Sequence, residues 1–184
     1  MQRYFAFLRA INVGGHTVKM DLLCQHFEGL GLLNVETFIA SGNVIFEEDR
    51  DDVGSLEVRI EDTLKEKLGY PVATFIRTQQ ELARIAAHQP FSARVFDSAA
   101  AFNVAFLKSP LDETAVGRLA ALENEFDRFH VEEREMYWLC QVRQSESKFS
   151  NAVLEKILGQ PATMRNVNTI KKLVDKYVQL NQTS

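Results

Sequence analysis

The sequence predicts an α+β fold: two ferredoxin-like βαββα halves related by internal duplication, joined by a βα connection and followed by an extra C-terminal helix. Three observations carry this prediction. Aromatic and branched runs of strand length alternate with longer windows whose apolar residues recur at helical spacing. Several of the strands come in adjacent pairs, which argues against a doubly wound parallel sheet and for layered α+β packing. Tyr4-Phe-Ala-Phe-Leu-Arg9 also resembles Asn103-Val-Ala-Phe-Leu-Lys108, and a helix, a strand pair and a second helix follow each. The boundaries expected from this order are 1–90 for the N-terminal half with its connecting helix and 91–184 for the C-terminal half, packed as one compact unit.

In chain order, Tyr4 to Val13 is strand material closed by Gly14-Gly15. A helix is expected from Lys19 to Leu30, with Met20, Leu23, Phe27 and Leu30 on one side. Val35 to Glu48 returns as extended chain, and Ser41-Gly42-Asn43 interrupts it as a hairpin turn or a bulge. The next helix takes Ser55 as its cap and buries Leu56, Ile60, Leu64 and Leu68 before Gly69 and Pro71 stop it. Val72 to Arg77 is a strand, and Thr78-Gln-Gln-Glu81 reads as a capping box that opens a helix with Leu82 and Ile85 inside.

Residues 91 to 100 read as a packed-down linker, and Phe102 to Lys108 as a strand. Ser109-Pro110-Leu-Asp112 starts a helix whose inner stripe is Val116, Leu119, Leu122 and Phe126. Phe129 to Val142 is a hairpin with its tip at 132–135, and Met136, Trp138, Cys140 and Val142 alternate on one face. Trp138 is therefore expected in the core. A helix from Lys148 to Leu158 follows, stopped by Gly159 and Pro161. The last helix starts near Asn166 or Asn168, with Ile170, Leu173, Val174, Tyr177 and Val178 as its stripe.

Composition excludes several function classes. With 46% apolar and 25% charged residues the chain is ordinary globular material, not disordered. A formal charge of −4 argues against a whole-surface nucleic-acid binder. Cys24 and Cys140 form no CxxC pair, so zinc-ribbon and disulfide frameworks have no support, and two thiols fit a reducing compartment. The N-terminal apolar run before Arg9 is too short for a signal peptide or a membrane span. The expected location is the cytoplasm, with no membrane partner.

Candidate chemistry gathers where small polar residues interrupt apolar runs. Gly14-Gly15 follows a strand but lacks the spacing of a phosphate loop, so a tight strand exit is the reading preferred. Ser41 and Asn43 offer a hydroxyl and an amide without a nucleophilic arrangement around them. His16, His26, His88 and His130 show no metal-ligand spacing, and His26 and His88 are expected on helix surfaces. No metal and no cofactor is expected. Arg165-Asn-Val-Asn-Thr169 places a forked cation beside a helix start, which suits an anion, while Asn166, Asn168 and Thr169 also suit plain capping. Lys171, Lys172 and Lys176 make that helix basic on its exposed face.

Arg9-Ala-Ile-Asn-Val-Gly-Gly-His16, Ser41-Gly-Asn-Val-Ile-Phe46 and Pro161-Ala-Thr-Met-Arg-Asn-Val-Asn-Thr169 together resemble the family called "domain of unknown function 1697". The resemblance runs along nearly the whole chain. It implies a bacterial, cytoplasmic protein and brings no established activity.

Function hypotheses then come from different classes. The leading one is a binding module for an anionic or phosphorylated small ligand, with Arg9, Asn12, Ser41, Asn43, Arg165 and Asn168 converging on one concave surface and Lys148 nearby. A nucleic-acid-binding accessory ranks lower, because no RNP-type aromatic cluster is visible. An enzyme would have to pair His16 with Glu36 or Glu47, a pairing that spacing does not support. A structural or dimerisation protein, whose polar motifs hold the two halves together, is the remaining class.

Overall fold

A computed structural model of the chain describes residues 1–12, 17–40, 42–49 and 52–178. Among the described residues the strands form two four-stranded antiparallel sheets, one in each of two units: Met1–Arg84 with the chain from Lys176, and Ile85–Asp175.

In the first unit, β1 (Gln2–Leu8) is apolar and buried from Tyr4 onward, and it is paired on both edges. β3 (Asn43–Glu48) lies on one side and β4 (Thr74–Thr78) on the other, both antiparallel, with Ala6 opposite Val44 and Ile76. β2 (Leu33–Thr37) pairs with β3 and completes the order β2-β3-β1-β4. One sheet face carries Tyr4, Ala6, Leu8, Val44, Phe46 and Ile76. Against it pack Leu23 and Phe27 of α1 (Met20–Glu28) and Leu56, Ile60 and Leu64 of α2 (Val53–Leu68). The Tyr4 and Phe46 rings stack at 5.8 Å, and Phe27 tilts against Phe46 at 5.7 Å.

β4 lies at a sheet edge, and carboxylates cover its outward N–H groups. Glu61 accepts from Thr74 N and Glu57 from Ile76 N, each at 2.7 Å, both from α2. Glu81 accepts from Thr78 N at 2.7 Å, while Thr78 Oγ1 accepts from Glu81 N at 3.2 Å. That is the expected capping box, at the start of α3 (Gln79–Ala87). An edge strand capped in this way offers no free ladder to a foreign chain.

The second unit repeats the plan. β5 (Ala101–Phe106) is central, flanked by β7 (Glu135–Cys140) and β8 (Thr163–Asn166), with β6 (Asp127–Glu132) outside β7. Its order β6-β7-β5-β8 matches the first sheet position by position, so the duplication stands. Ala105, Met136, Trp138 and Cys140 pack with Leu119 of α5 (Glu113–Ala120) and Leu154 of α6 (Asn151–Leu158). Asp112 and Ser150 cap these helices by accepting from Ala115 N and Val153 N. A short helix α4 (Ala93–Asp97) precedes β5, and α7 (Val167–Tyr177) follows β8.

Several expectations need correction. Each half has a fourth strand: β4, expected in the connection, belongs to the first sheet, and β8 occupies the stretch just before the last helix, where no strand is expected. Each half is therefore a complete βαββαβ unit. β1 ends at Leu8 instead of Val13, because Ala10 and Asn12 take φ of 65° and 56°, which no strand accommodates. Asp52 caps α2 in place of Ser55, by accepting from Ser55 N at 3.1 Å. The 91–100 segment contains α4, and Val35–Glu48 resolves into a hairpin of β2 and β3. Trp138 is 3% exposed, as its alternation with Met136 and Cys140 requires. Among the described residues no helix is long and apolar enough to cross a membrane.

Candidate functional site

The first two motifs meet in the first unit. Beyond β1, the chain from Arg9 to Asn12 turns across the β2–β3 hairpin: Leu8 N donates to Gly42 O at 2.8 Å, and Asn12 Nδ2 donates to Ala40 O at 3.2 Å. Asn12 Oδ1 accepts from Val18 N at 2.7 Å. Gly42 sits at φ 71°, and a Cβ there would lie 3.0 Å from Ile11 Cβ, so the two loops touch backbone to side chain. Ile39, a branched residue at φ 52°, is held in a conformation such residues rarely adopt. Arg9 is half-buried, and its N–H bonds Ala73 O at 2.8 Å. Asn43 is 1% exposed and ties the hairpin by donating from Nδ2 to Phe38 O at 3.0 Å. Both asparagine amides are thus engaged in closing loops. Gly14, Gly15, His16 and Ser41 lie outside the described residues.

The carboxylates considered for acid–base work with His16 are engaged as well. Glu36 accepts from Tyr177 Oη–H at 2.9 Å. Glu47 accepts from Arg3 at 2.8 Å and from Asn34 at 2.7 Å, and these bonds pull its pKa below the usual carboxylate value.

In the second unit the third motif divides by role. Arg165 lies on β8, and its Nη1 donates to Thr163 Oγ1 at 2.8 Å and to Met164 O at 2.7 Å. The residue keeps some accessible surface, while burial of the guanidinium pushes its pKa down to about 10. It is still a cation at neutral pH, engaged with its own strand. Asn166 Oδ1 accepts from Asn168 N at 2.9 Å, so Asn166 is the cap of α7 and Asn168 is exposed in its first turn. Lys148 is exposed on the segment that leads into α6.

Beside that first turn lies a cleft of about 440 Å³. Asn166, Val167, Asn168 and Lys171 line it together with His88, Gln89, Phe96, Asp97 and the 99–102 segment. Phe96 and Phe102 meet edge to face at 4.9 Å and supply an apolar wall. Of the six residues expected to bind ligand, Asn168 lines this cleft and Arg165 does not.

One grouping escaped the sequence altogether. His88 follows α3 instead of riding on it, and it is half-buried against the Tyr137 ring at 4.6 Å, not on a helix surface. From there its Nε2 lies 3.6 Å from Glu132 Oε2, and His130 Nε2 lies 3.3 Å from the same oxygen. His130-Val-Glu132 was the available signal, since residues two apart on a strand share a face. The third member comes from a distant part of the chain, which spacing cannot reveal.

The chain can also be compared with known proteins. Its structure is similar to that of the conserved bacterial protein SP0830 from Streptococcus pneumoniae, at 25% sequence identity and a TM-score of 0.73, over 95% of this chain and 97% of that one. No curated protein matches it in sequence. The family model described as "Protein of unknown function (DUF1697)" matches residues 1–137, so the chain belongs to that family.

Proposed function

We propose that the protein binds a small anionic or phosphorylated ligand in the cleft of the second unit. The observation that carries this reading is the shared lining of the cleft by the first turn of α7 and Lys171. A helix start concentrates partial positive charge from its N–H groups, and an adjacent ammonium adds a full charge. The volume, about 440 Å³, falls within the range of small-molecule sites, roughly 300–1,000 Å³. Phe96 and Phe102 would cover an apolar or ring portion of the ligand, and Asp97 would accept from its hydroxyl groups. Arg165 contributes by bracing β8, the strand from which α7 departs.

The nucleic-acid reading loses its platform, because Trp138 is buried and its Nε1–H is committed to Asp127 at 2.8 Å. Both cysteines are free thiols, which supports a reducing, cytoplasmic setting.

The test is thermal stability in EDTA-containing buffer with millimolar phosphate, sulfate or nucleotide. A ligand at one hundred times its Kd stabilises the wild type by about 2.7 kcal/mol. Lys171→Glu should abolish that gain, while Lys19→Glu, the same charge change in the first unit, should leave it intact. Absence of any anion-dependent gain in the wild type, or a full gain in Lys171→Glu, rejects the reading.

A further inference from the structure

We infer that His88, His130 and Glu132 form a binding site for one divalent transition-metal ion, of which Zn²⁺ is the best match. This goes beyond the anion-binding reading and stands without it.

Ligand type comes first. Two imidazoles and one carboxylate are the donors of three-ligand zinc sites, in which a fourth position stays open for water or substrate. The same donor set also suits ferrous ions, whereas hard ions such as Mg²⁺ favour all-oxygen shells. Among the described residues this is the one grouping of His, Cys, Asp and Glu whose ligand atoms come together in this way, all within 4.8 Å of one another.

Two of the three separations fit a tetrahedral ion, and all three ligand atoms lie within 4.8 Å of one another. With bonds of about 2.0–2.1 Å, neighbouring ligand atoms of a tetrahedral ion lie roughly 3.3–3.4 Å apart. His130 Nε2 and His88 Nε2 stand 3.3 Å and 3.6 Å from Glu132 Oε2. Small rotamer adjustments would bring all three onto one ion. The His130 contact also serves as a hydrogen bond when its Nε2 carries the proton, and with the proton on Nδ1 instead the same nitrogen is a metal donor. A single cation between the three groups uses all three lone pairs.

The scaffold holds the donors in advance. His130 and Glu132 share one face of β6, whose ladder with β7 runs from Asp127↔Cys140 to Glu132↔Glu135. His130 is opposite Tyr137, and the His88 ring packs 4.6 Å from that same tyrosine and 5.2 Å from the His130 ring. Phe91 meets His130 edge-on at 6.5 Å. Aromatic walls on one side limit competing water, while side-chain exposures of 38% for His130 and 47% for Glu132 leave a path in from solvent. His88 also lines the cleft described above, so an ion held here would stand at its margin.

The test uses the full chain, stripped with EDTA and dialysed, titrated with Zn²⁺ by calorimetry and with Co²⁺ followed by visible absorption. The expected result is one ion per chain, four-coordinate d–d bands for Co²⁺ that Zn²⁺ abolishes, and a rise in melting temperature. His130→Asn and Glu132→Gln, both partly exposed and expected to fold, should each weaken binding by more than about tenfold, since even partners one step removed from a metal cost 10–100-fold. Cys24→Ser should bind as the wild type does. No binding at micromolar Zn²⁺, or affinity unchanged in both His130→Asn and Glu132→Gln, overturns the inference and leaves a surface His–Glu ion pair. Loss of the ion in Cys24→Ser alone would assign it to a different place and overturns the inference equally. Anion binding is measured in EDTA, so it can fail or succeed independently.

Discussion

Replacing Trp138 by Phe separates its two contributions, packing and a buried bond to a charge. The indole is 3% exposed, meets the Phe149 ring at 5.1 Å, and donates from Nε1 to Asp127 Oδ1 at 2.8 Å. Asp127, itself 2% exposed, also accepts from Ser147 Oγ at 2.9 Å and Asn124 Nδ2 at 3.1 Å. Desolvation alone would raise the Asp127 pKa, but the bonds donated by Trp138, Asn124 and Ser147 outweigh it and hold the pKa below the ordinary 3.8. Phe keeps the ring against Phe149 and removes one bond to an ionised carboxylate, a loss of about 1.5–3 kcal/mol. Ala removes the ring as well and should cost about 3–5 kcal/mol.

The sign of the pH dependence follows from the depressed pKa. The stability Asp127 contributes is present above the unfolded value and is lost as pH falls through the folded one. Trp138→Phe should therefore narrow its deficit relative to wild type as pH is lowered from 7 to about 3, below the ordinary carboxylate value of the unfolded chain. Urea unfolding at both pH values, followed by far-UV circular dichroism because the single tryptophan is gone, measures both effects. If Trp138→Phe lies within about 0.5 kcal/mol of wild type at pH 7, the level of an ordinary surface change, the bond to Asp127 adds nothing. If the Phe and Ala variants lose equal amounts, the packing argument is wrong.

Two other substitutions test the frame. Gly42→Ala should lose more than about 1 kcal/mol, because φ is 71° and the new Cβ would meet Ile11 Cβ at 3.0 Å. Gly117→Ala, in α5 with nothing within 4 Å, should gain about 0.5–1 kcal/mol, and equal signs in thermal unfolding would contradict this account. Glu57→Leu leaves the Ile76 N–H without its acceptor at the β4 edge and should cost about 1–3 kcal/mol. Glu57→Gln, which keeps an acceptor oxygen, should cost clearly less in the same denaturation assay, and equal losses would show that the bond to β4 contributes little.

What the sequence determined by itself was local. The capping box at Thr78–Glu81, the burial of Trp138 and the matched plan of the two halves all rest on neighbours within a few residues or on one strand's alternation. Backbone propensity and side-chain periodicity act at that range, so reading them in order suffices. The tertiary structure decided what depends on a partner far along the chain. Thr163-Met-Arg-Asn166 has no apolar alternation to mark a strand, and it becomes β8 because β5 presents an open edge that must be paired. That pairing puts Arg165, expected only beside the helix start, on a strand, where its guanidinium bonds Thr163 and Met164, and leaves Asn166 to cap α7. His88 joins His130 and Glu132 for the same reason: β6–β7 pairing presents Tyr137 beside His130, and the chain leaving α3 packs its imidazole there. Long-range pairing depends on which edges and faces remain unsatisfied once local elements have formed, and no window of sequence contains that information.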